Sequence, residues 1–228
     1  MRILALDTAT EACSVALRIG DTVLERYVEL ERGHAERLLP MVDEVLGESG
    51  VTLASLDAIA FGRGPGSFTG VRLAASIAQG LAFGAGVGVV PVSDLAAVAQ
   101  QAASLNPAAS RVLVVNDARM RELYWATFRV SGQVEALGEE RVSPGTEVVT
   151  PDASSTESSW VAAGRGLRAA PDLAERCRTA GMVMLADLLP RAREVLLLAQ
   201  PVVAAGQVLP PERALPVYVR DKVVASAV

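Results

Sequence analysis

The 228-residue chain has one lysine, one histidine, two cysteines and only 4% aromatic residues. Each shortage excludes something. With His34 as the single histidine, neither a multi-histidine metal centre nor His-Glu-x-x-His zinc chemistry can be built. A Ser–His–Asp triad would have to use His34, and no Gly-x-Ser-x-Gly nucleophile elbow accompanies it. With Lys222 as the one lysine beside twenty arginines, a Walker loop is excluded, because that loop needs Gly-Lys-Ser/Thr. Cys13 and Cys177 make no disulfide framework, although Arg176 and Arg178 flank Cys177 and predict a lowered thiol pKa. The scarcity of aromatics leaves a core of Ala, Val and Leu. The net charge of −5 argues against a free-standing nucleic-acid binder.

What is present reads as mixed α/β. Residues 3–6 form a short apolar run, 13–19 alternate loosely, and after the Gly20-Asp21 turn a third strand covers 22–29, making a meander. Residues 34–46 change to helical spacing, with Leu38, Leu39, Met41, Val42, Val45 and Leu46 on one face. Pro40 predicts a kink or a late start there. A buried strand at 58–61, a glycine-rich loop at 62–70, a helix with Leu73, Ile77 and Leu81 in one row, a strand at 87–92 and a helix capped by Ser93 follow. The uncharged run 73–93 has the length of a membrane span, but its Ser, Gln, Gly and Pro content and its change of character halfway predict a buried helix and a buried strand. The N-terminus lacks the pattern of a signal peptide, so a cytoplasmic protein without membrane attachment is expected.

Residues 112–119 and 123–130 repeat the first hairpin, and Asp117 falls 110 residues after Asp7. A duplication or a chance likeness of two hairpins would both give this pattern. The expected division is an N-terminal lobe, 1–106, and a C-terminal lobe, 107–228. The second lobe is expected to hold a polar connection at 144–159, helices at 171–179 and 188–205, and a last strand at 216–220.

Two constellations carry candidate chemistry. The loop Gly62-Arg63-Gly64-Pro65-Gly66-Ser67-Phe68-Thr69-Gly70 leads from a strand into a helix, a geometry that offers free amides and a positive helix end to an anion. Gly64, Gly66, Ser67, Thr69 and Arg72 would make the contacts. The spacing does not fit a dinucleotide fingerprint, and a tight turn feeding a closely packed helix explains the glycines equally. Asp7 and Asp117, each closing a first hairpin strand, would hold a hydrated Mg²⁺ between the lobes, with Thr8 and Thr10 in the neighbouring turn. Neither turn supplies the glycine a phosphate-gripping hairpin wants, and two turn-forming aspartates are the alternative.

The segments MRILALDTATEACSV at 1–15, GRGPGSFTGVRLA at 62–74, DARMRELYWA at 117–126 and LPVYVR at 215–220 resemble the bacterial TsaB (YeaZ) family. Order, spacing and length agree over essentially the whole chain. Arg121 departs from the pattern, which has Gly there. The resemblance implies a duplicated actin-like, sugar-kinase-type (ASKHA) fold. It implies a part in forming N6-threonylcarbamoyladenosine beside the anticodon of tRNAs that read codons beginning with A. The family's role is that of a non-catalytic scaffold. It pairs with the catalytic paralogue TsaD, which carries the metal-binding histidines, and with the ATPase TsaE. ATP and Mg²⁺ are used by the complex, no cofactor is held by this chain alone, and tRNA is met only within the complex. The same resemblance places the TsaD-binding and self-dimerising face on the helices 34–46 and 69–83, through Leu38, Leu39, Val42, Val45, Leu73, Ile77 and Leu81. The rival function is a small ATP-dependent phosphotransferase using Asp7, Asp117 and the loop. A peptidase is a third reading, which the single histidine disfavours.

Overall fold

In the computed structural model residues 1–151 and 159–220 are described. Lys222 and the 152–158 part of the expected polar connection lie outside them. The chain forms two sheets of the same construction. The first holds β1 (Arg2–Asp7), β2 (Ala12–Ile19), β3 (Thr22–Glu29), β4 (Ala58–Gly62) and β5 (Gly88–Val92), in the order β3-β2-β1-β4-β5. The second holds β6 (Arg111–Asp117), β7 (Glu122–Ser131), β8 (Gln133–Ala136), β9 (Arg141–Pro144), β10 (Trp160–Ala163) and β11 (Val183–Leu185), in the order β11-β10-β6-β7-β8, with β9 paired to β7. In each sheet an antiparallel hairpin, β1–β2 or β6–β7, is extended on its other side by two parallel strands. The repeated hairpin therefore belongs to a repeated sheet, and the fold is the duplicated actin-like one.

The helices are α1 (His34–Ser49), α2 (Phe68–Ala85), α3 (Asp94–Leu105), α4 (Gly166–Ala169), α5 (Pro171–Thr179) and α6 (Ala192–Ala204). Strand β1 is central, so both its faces are buried and its apolar run is continuous. Its alternation is one of layers: Leu4 and Leu6 pack with α1 and α2, whereas Ile3 and Ala5 pack with Val195, Leu196 and Ala199 of α6. In the second sheet Val112 and Val114 face Leu95, Val98 and Ala102 of α3, and Leu113 and Val115 face Leu167, Leu173 and Cys177 of α4 and α5. Helix α3, from the first half of the chain, thus lies on the second sheet, and α6, from the second half, lies on the first. The packing units do not follow a single cut at residue 106. Where α3 and α6 meet, Gln101 Nε2 donates to Glu194 Oε2 at 3.5 Å, and burial raises the Glu194 carboxyl above its ordinary range.

Several expectations are corrected. Helix α1 runs unbroken through Pro40, which is exposed, and continues to Ser49. Residues 188–191 are not helical; α6 starts at Ala192. Residues 216–220 join no ladder; one backbone tie to the fold is Val217 N–H donating to the Arg63 carbonyl at 2.7 Å. As expected, the run 73–93 resolves into most of α2 and strand β5, and no helix among the described residues is long and apolar enough to cross a membrane.

Candidate functional site

The centre of the first lobe is the junction of the β1–β2 turn, the loop 62–70 and the start of α3. Strand β1 delivers Asp7 and β4 delivers Gly62 beside it, because Leu6 pairs with Phe61 in the parallel register. The loop then folds over the hairpin turn. Ser67 N–H donates to the Ala9 carbonyl at 2.7 Å, and Thr8 Oγ1 donates to the Gly70 carbonyl at 2.7 Å. A Cβ on Gly66 would collide with the Ala9 carbonyl, and one on Gly70 with the Thr8 carbonyl. These glycines serve close backbone approach, and what they approach is the chain's own hairpin turn. Two amides of the hairpin segment are committed as well: Ala9 N–H to Asp7 Oδ1 at 3.1 Å and Ala12 N–H to Thr10 Oγ1 at 3.2 Å.

Beneath this seam lies a carboxyl pair. Asp7 and Asp94 are both fully buried. Asp94 accepts from the Gly64 amide, and its own N–H donates to the Gly64 carbonyl at 3.1 Å. Asp7 Oδ2 and Asp94 Oδ1 have no donor between them and both point at the Cα of Gly62, where a side chain would strike them. Burial raises both carboxyls above the ordinary range, Asp94 well above it, where the neighbouring Asp7 charge adds to the effect. Burial works against charge on both of two neighbouring carboxylate oxygens that lack a protein donor. One proton between them satisfies both oxygens, as in other paired carboxyls. Asp94 was invisible to sequence reasoning as a partner of Asp7. Behind Ser93 it reads as an ordinary acidic residue of a helix first turn, and only the crossing of α3 under the loop reveals its role.

Asp117 is placed differently. It is exposed, accepts the Arg119 N–H at 2.7 Å and pairs with the Arg119 guanidinium at 3.3 Å. The two aspartates that sequence symmetry equates thus engage separate partners: Asp7 closes a buried seam, and Asp117 holds its own turn. Among the described residues no group of three His, Cys, Asp or Glu side chains could hold a metal. His34 Nε2 lies 3.0 Å from the Thr10 carbonyl. The Cys177 thiol is pushed up, not down, because burial outweighs the flanking arginines. Burial also pushes Cys13 up to about 11.

Between the lobes, ion pairs bridge the cleft. Arg165 reaches Glu11 at 3.0 Å and Glu29 at 2.7 Å, and Arg63 makes a two-pronged contact to Glu140 at 3.2 and 3.3 Å, which also meets the Ser93 hydroxyl.

A family profile described as "TsaD: tRNA N6-adenosine threonylcarbamoyltransferase" matches residues 28–209. The TsaB protein of Escherichia coli K12, named for tRNA threonylcarbamoyladenosine biosynthesis, is 44% identical over 226 residues, covering 98% of this chain and 96% of that one. The chain belongs to the TsaB family. The Haemophilus influenzae TsaB is 53% identical over 126 residues, 55% of this chain and 53% of that protein. The solved structure of YeaZ from Pseudomonas aeruginosa superposes with a TM-score of 0.84 at 44% identity, covering 95% of this chain and 99% of that one.

On this TsaB-family fold the seven helix residues expected at a partner face separate into two groups. Leu38, Val42 and Val45 are buried in the chain's own core against the first sheet and present no free surface. Leu39 is 41% exposed, and Leu73, Ile77 and Leu81 are half-buried. Helical spacing finds an apolar face, but it does not say which of its edges stays outside after the helix packs.

Proposed function

We propose that this TsaB-family chain is the non-catalytic scaffold of a tRNA threonylcarbamoyladenosine-forming complex. It pairs with the TsaD-family catalytic paralogue through the outer faces of α1 and α2 and helps to assemble the TsaE ATPase. The observation that carries the reading is the seam at the first lobe. A phosphotransferase needs free backbone amides for nucleotide phosphates and an accessible carboxylate for Mg²⁺. Here the amides of Ala9 and Ala12 at the turn and of Gly64, Ser67 and Gly70 in the loop are bonded within the chain, and Asp7 is buried against a second carboxyl. A lobe bonded to itself in this way favours support of another subunit's chemistry over phosphoryl transfer.

The test is a reconstituted modification assay containing tRNA, the TsaD-family and TsaE partners, ATP and threonylcarbamoyl-adenylate, with and without this chain. Activity that requires the chain, together with no heat of Mg·ATP binding to the chain alone, is the expected result. Equal activity without it overturns the scaffold role. Saturable Mg·ATP binding abolished by Asp7→Ala would favour the phosphotransferase.

A further inference from the structure

The start of α2, residues 215–220 and the β6–β7 turn come together on the surface. The Arg72 guanidinium carbon lies 3.6 Å from the centre of the Phe68 ring, and Arg72 Nε donates to the Tyr218 hydroxyl at 2.6 Å. The two rings are 5.8 Å apart and tilted by 35°. Both are open to solvent, Phe68 at 44% and Tyr218 at 46%. Two residues beyond Tyr218, Arg220 meets the β6–β7 turn through the Ala118 carbonyl at 3.2 Å, the Met120 sulfur at 3.5 Å and the Glu122 carboxylate.

That turn is unusual. Arg119, Met120 and Arg121 all have positive φ, 61°, 55° and 61°, in the left-handed region that non-glycine residues avoid. The conformation lifts Arg119, Met120 and Arg121 into solvent. The charged side chains along the strip are Arg72, Arg119, Arg121 and Arg220 against Asp117 and Glu122, and Glu140, Arg141 and Glu147 line the pocket shared with Val219 and Arg220. Five positive and four negative charges give +1, on a chain whose total is −5. Among the described residues Arg72 and Arg121 form no ion pair, whereas Arg119 and Arg220 do. The first amides of α2, on Phe68 and Thr69, find no acceptor among the described residues, while the next two bond to Ser67.

Exposed aromatic faces, unpaired guanidinium groups and free amides at a helix start are the means by which proteins hold unstacked bases and phosphates of single-stranded RNA. Resting on the reading of the chain as part of a tRNA-modifying complex, we infer that this strip is an RNA contact surface. Phe68 and Tyr218 stack on an unpaired base. Arg72, the α2 amides and the β6–β7 arginines hold the flanking phosphodiesters. The acidic remainder of the chain limits affinity, so the contact operates when a partner supplies the bulk of the binding.

The test uses the complex of this chain with the TsaD-family protein of the same organism. Binding of a fluorescent, unmodified tRNA transcript is followed by anisotropy at several salt concentrations, with co-elution of the two proteins checked by gel filtration. The double substitution Arg72→Gln/Arg121→Gln is expected to weaken binding about tenfold and to reduce the salt slope by about two. Phe68→Ala is expected to weaken it about tenfold with little change of slope. Arg121→Gly relaxes the strained turn, so it should raise thermal stability while still weakening RNA binding, which separates contact from folding. Unchanged affinity and slope with intact co-elution overturn the strip alone. Weaker binding that appears only with loss of co-elution also overturns it, because the surface then docks protein. A wild-type complex that binds no tRNA overturns the underlying functional reading as well.

Discussion

Replacing Asp94 by asparagine should make the protein more stable at pH 8 and flatten its stability profile. The substitution keeps the shape of the side chain. Its carbonyl can still accept the Gly64 amide now held by Asp94, and its amide can donate to Asp7 Oδ2, which has no donor in the wild type. In the wild type both carboxyls of the pair are raised above their ordinary value of 3.8 by burial. Once the pH passes the ordinary carboxylate range, the unfolded chain has released protons that the folded pair still holds. Stability therefore falls as pH rises, until the folded pair also deprotonates, after which it is flat. For one retained proton the slope is about 1.4 kcal/mol per pH unit. In a chain of this size that is roughly 3–6 °C of Tm per unit. Thermal unfolding of both proteins from pH 4 to pH 9 measures it. Glu194 contributes with the same sign but is common to both, so the difference isolates the pair. The reasoning is refuted if the two Tm profiles run parallel, or if the variant is less stable by a constant amount at every pH.

Three other outcomes follow from the packing. Ile77→Glu and Leu39→Glu should leave the monomer folded and weaken pairing with the TsaD-family partner at least tenfold in a titration, whereas Leu38→Glu, which puts a carboxylate into the sealed core, should cost about 4 kcal/mol or more and appear as insoluble protein or a collapsed melting curve. Gly70→Ala drives a methyl into the Thr8 carbonyl and should lower stability by about 1–3 kcal/mol in denaturant titration, with faster exchange of the Ser67 amide. Cys177, buried and with its thiol raised, should resist iodoacetamide at neutral pH in the native protein and react after unfolding.

Much of the architecture was legible because its strands and helices are long enough to show a period. The first meander, α1, α2, α3, the β6–β7 hairpin and α5 all have clear patterns. Strands β8, β10 and β11, of four, four and three residues, are too short to show one, and they exist because β7, β6 and β10 respectively offer edges to pair with. Residues 216–220 show the opposite failure. Their apolar content reads as a strand, but they lie against α2 and the loop and join no ladder. At the site, the glycines at 66 and 70 announced a close backbone approach, and whether a phosphate or the chain's own carbonyl would be the neighbour depended on tertiary contacts. Asp7 stood out by position, but Asp94 did not, since a pair brought together over 87 residues leaves no local mark. Arg121 stood out against the glycine expected there, and the structure shows the reason: the backbone keeps the glycine conformation and carries an arginine on it.

The exchange of helices between the halves has a consequence for synthesis. The face of the first sheet lined by Ile3, Ala5, Ala58 and Ala60 is covered by α6, which begins 100 residues after β5 ends at Val92. At roughly 5–20 residues per second, that face waits about 5–20 s on the ribosome for its cover. Its alanine lining suits such a delay, for small side chains leave a weakly adhesive surface while exposed and admit a helix closely once it arrives. A fragment ending at residue 106 would keep that face permanently open, and one starting at 107 would lack α3 over its own sheet. Neither half is a separable module, and the two fragments should gain solubility only when expressed together.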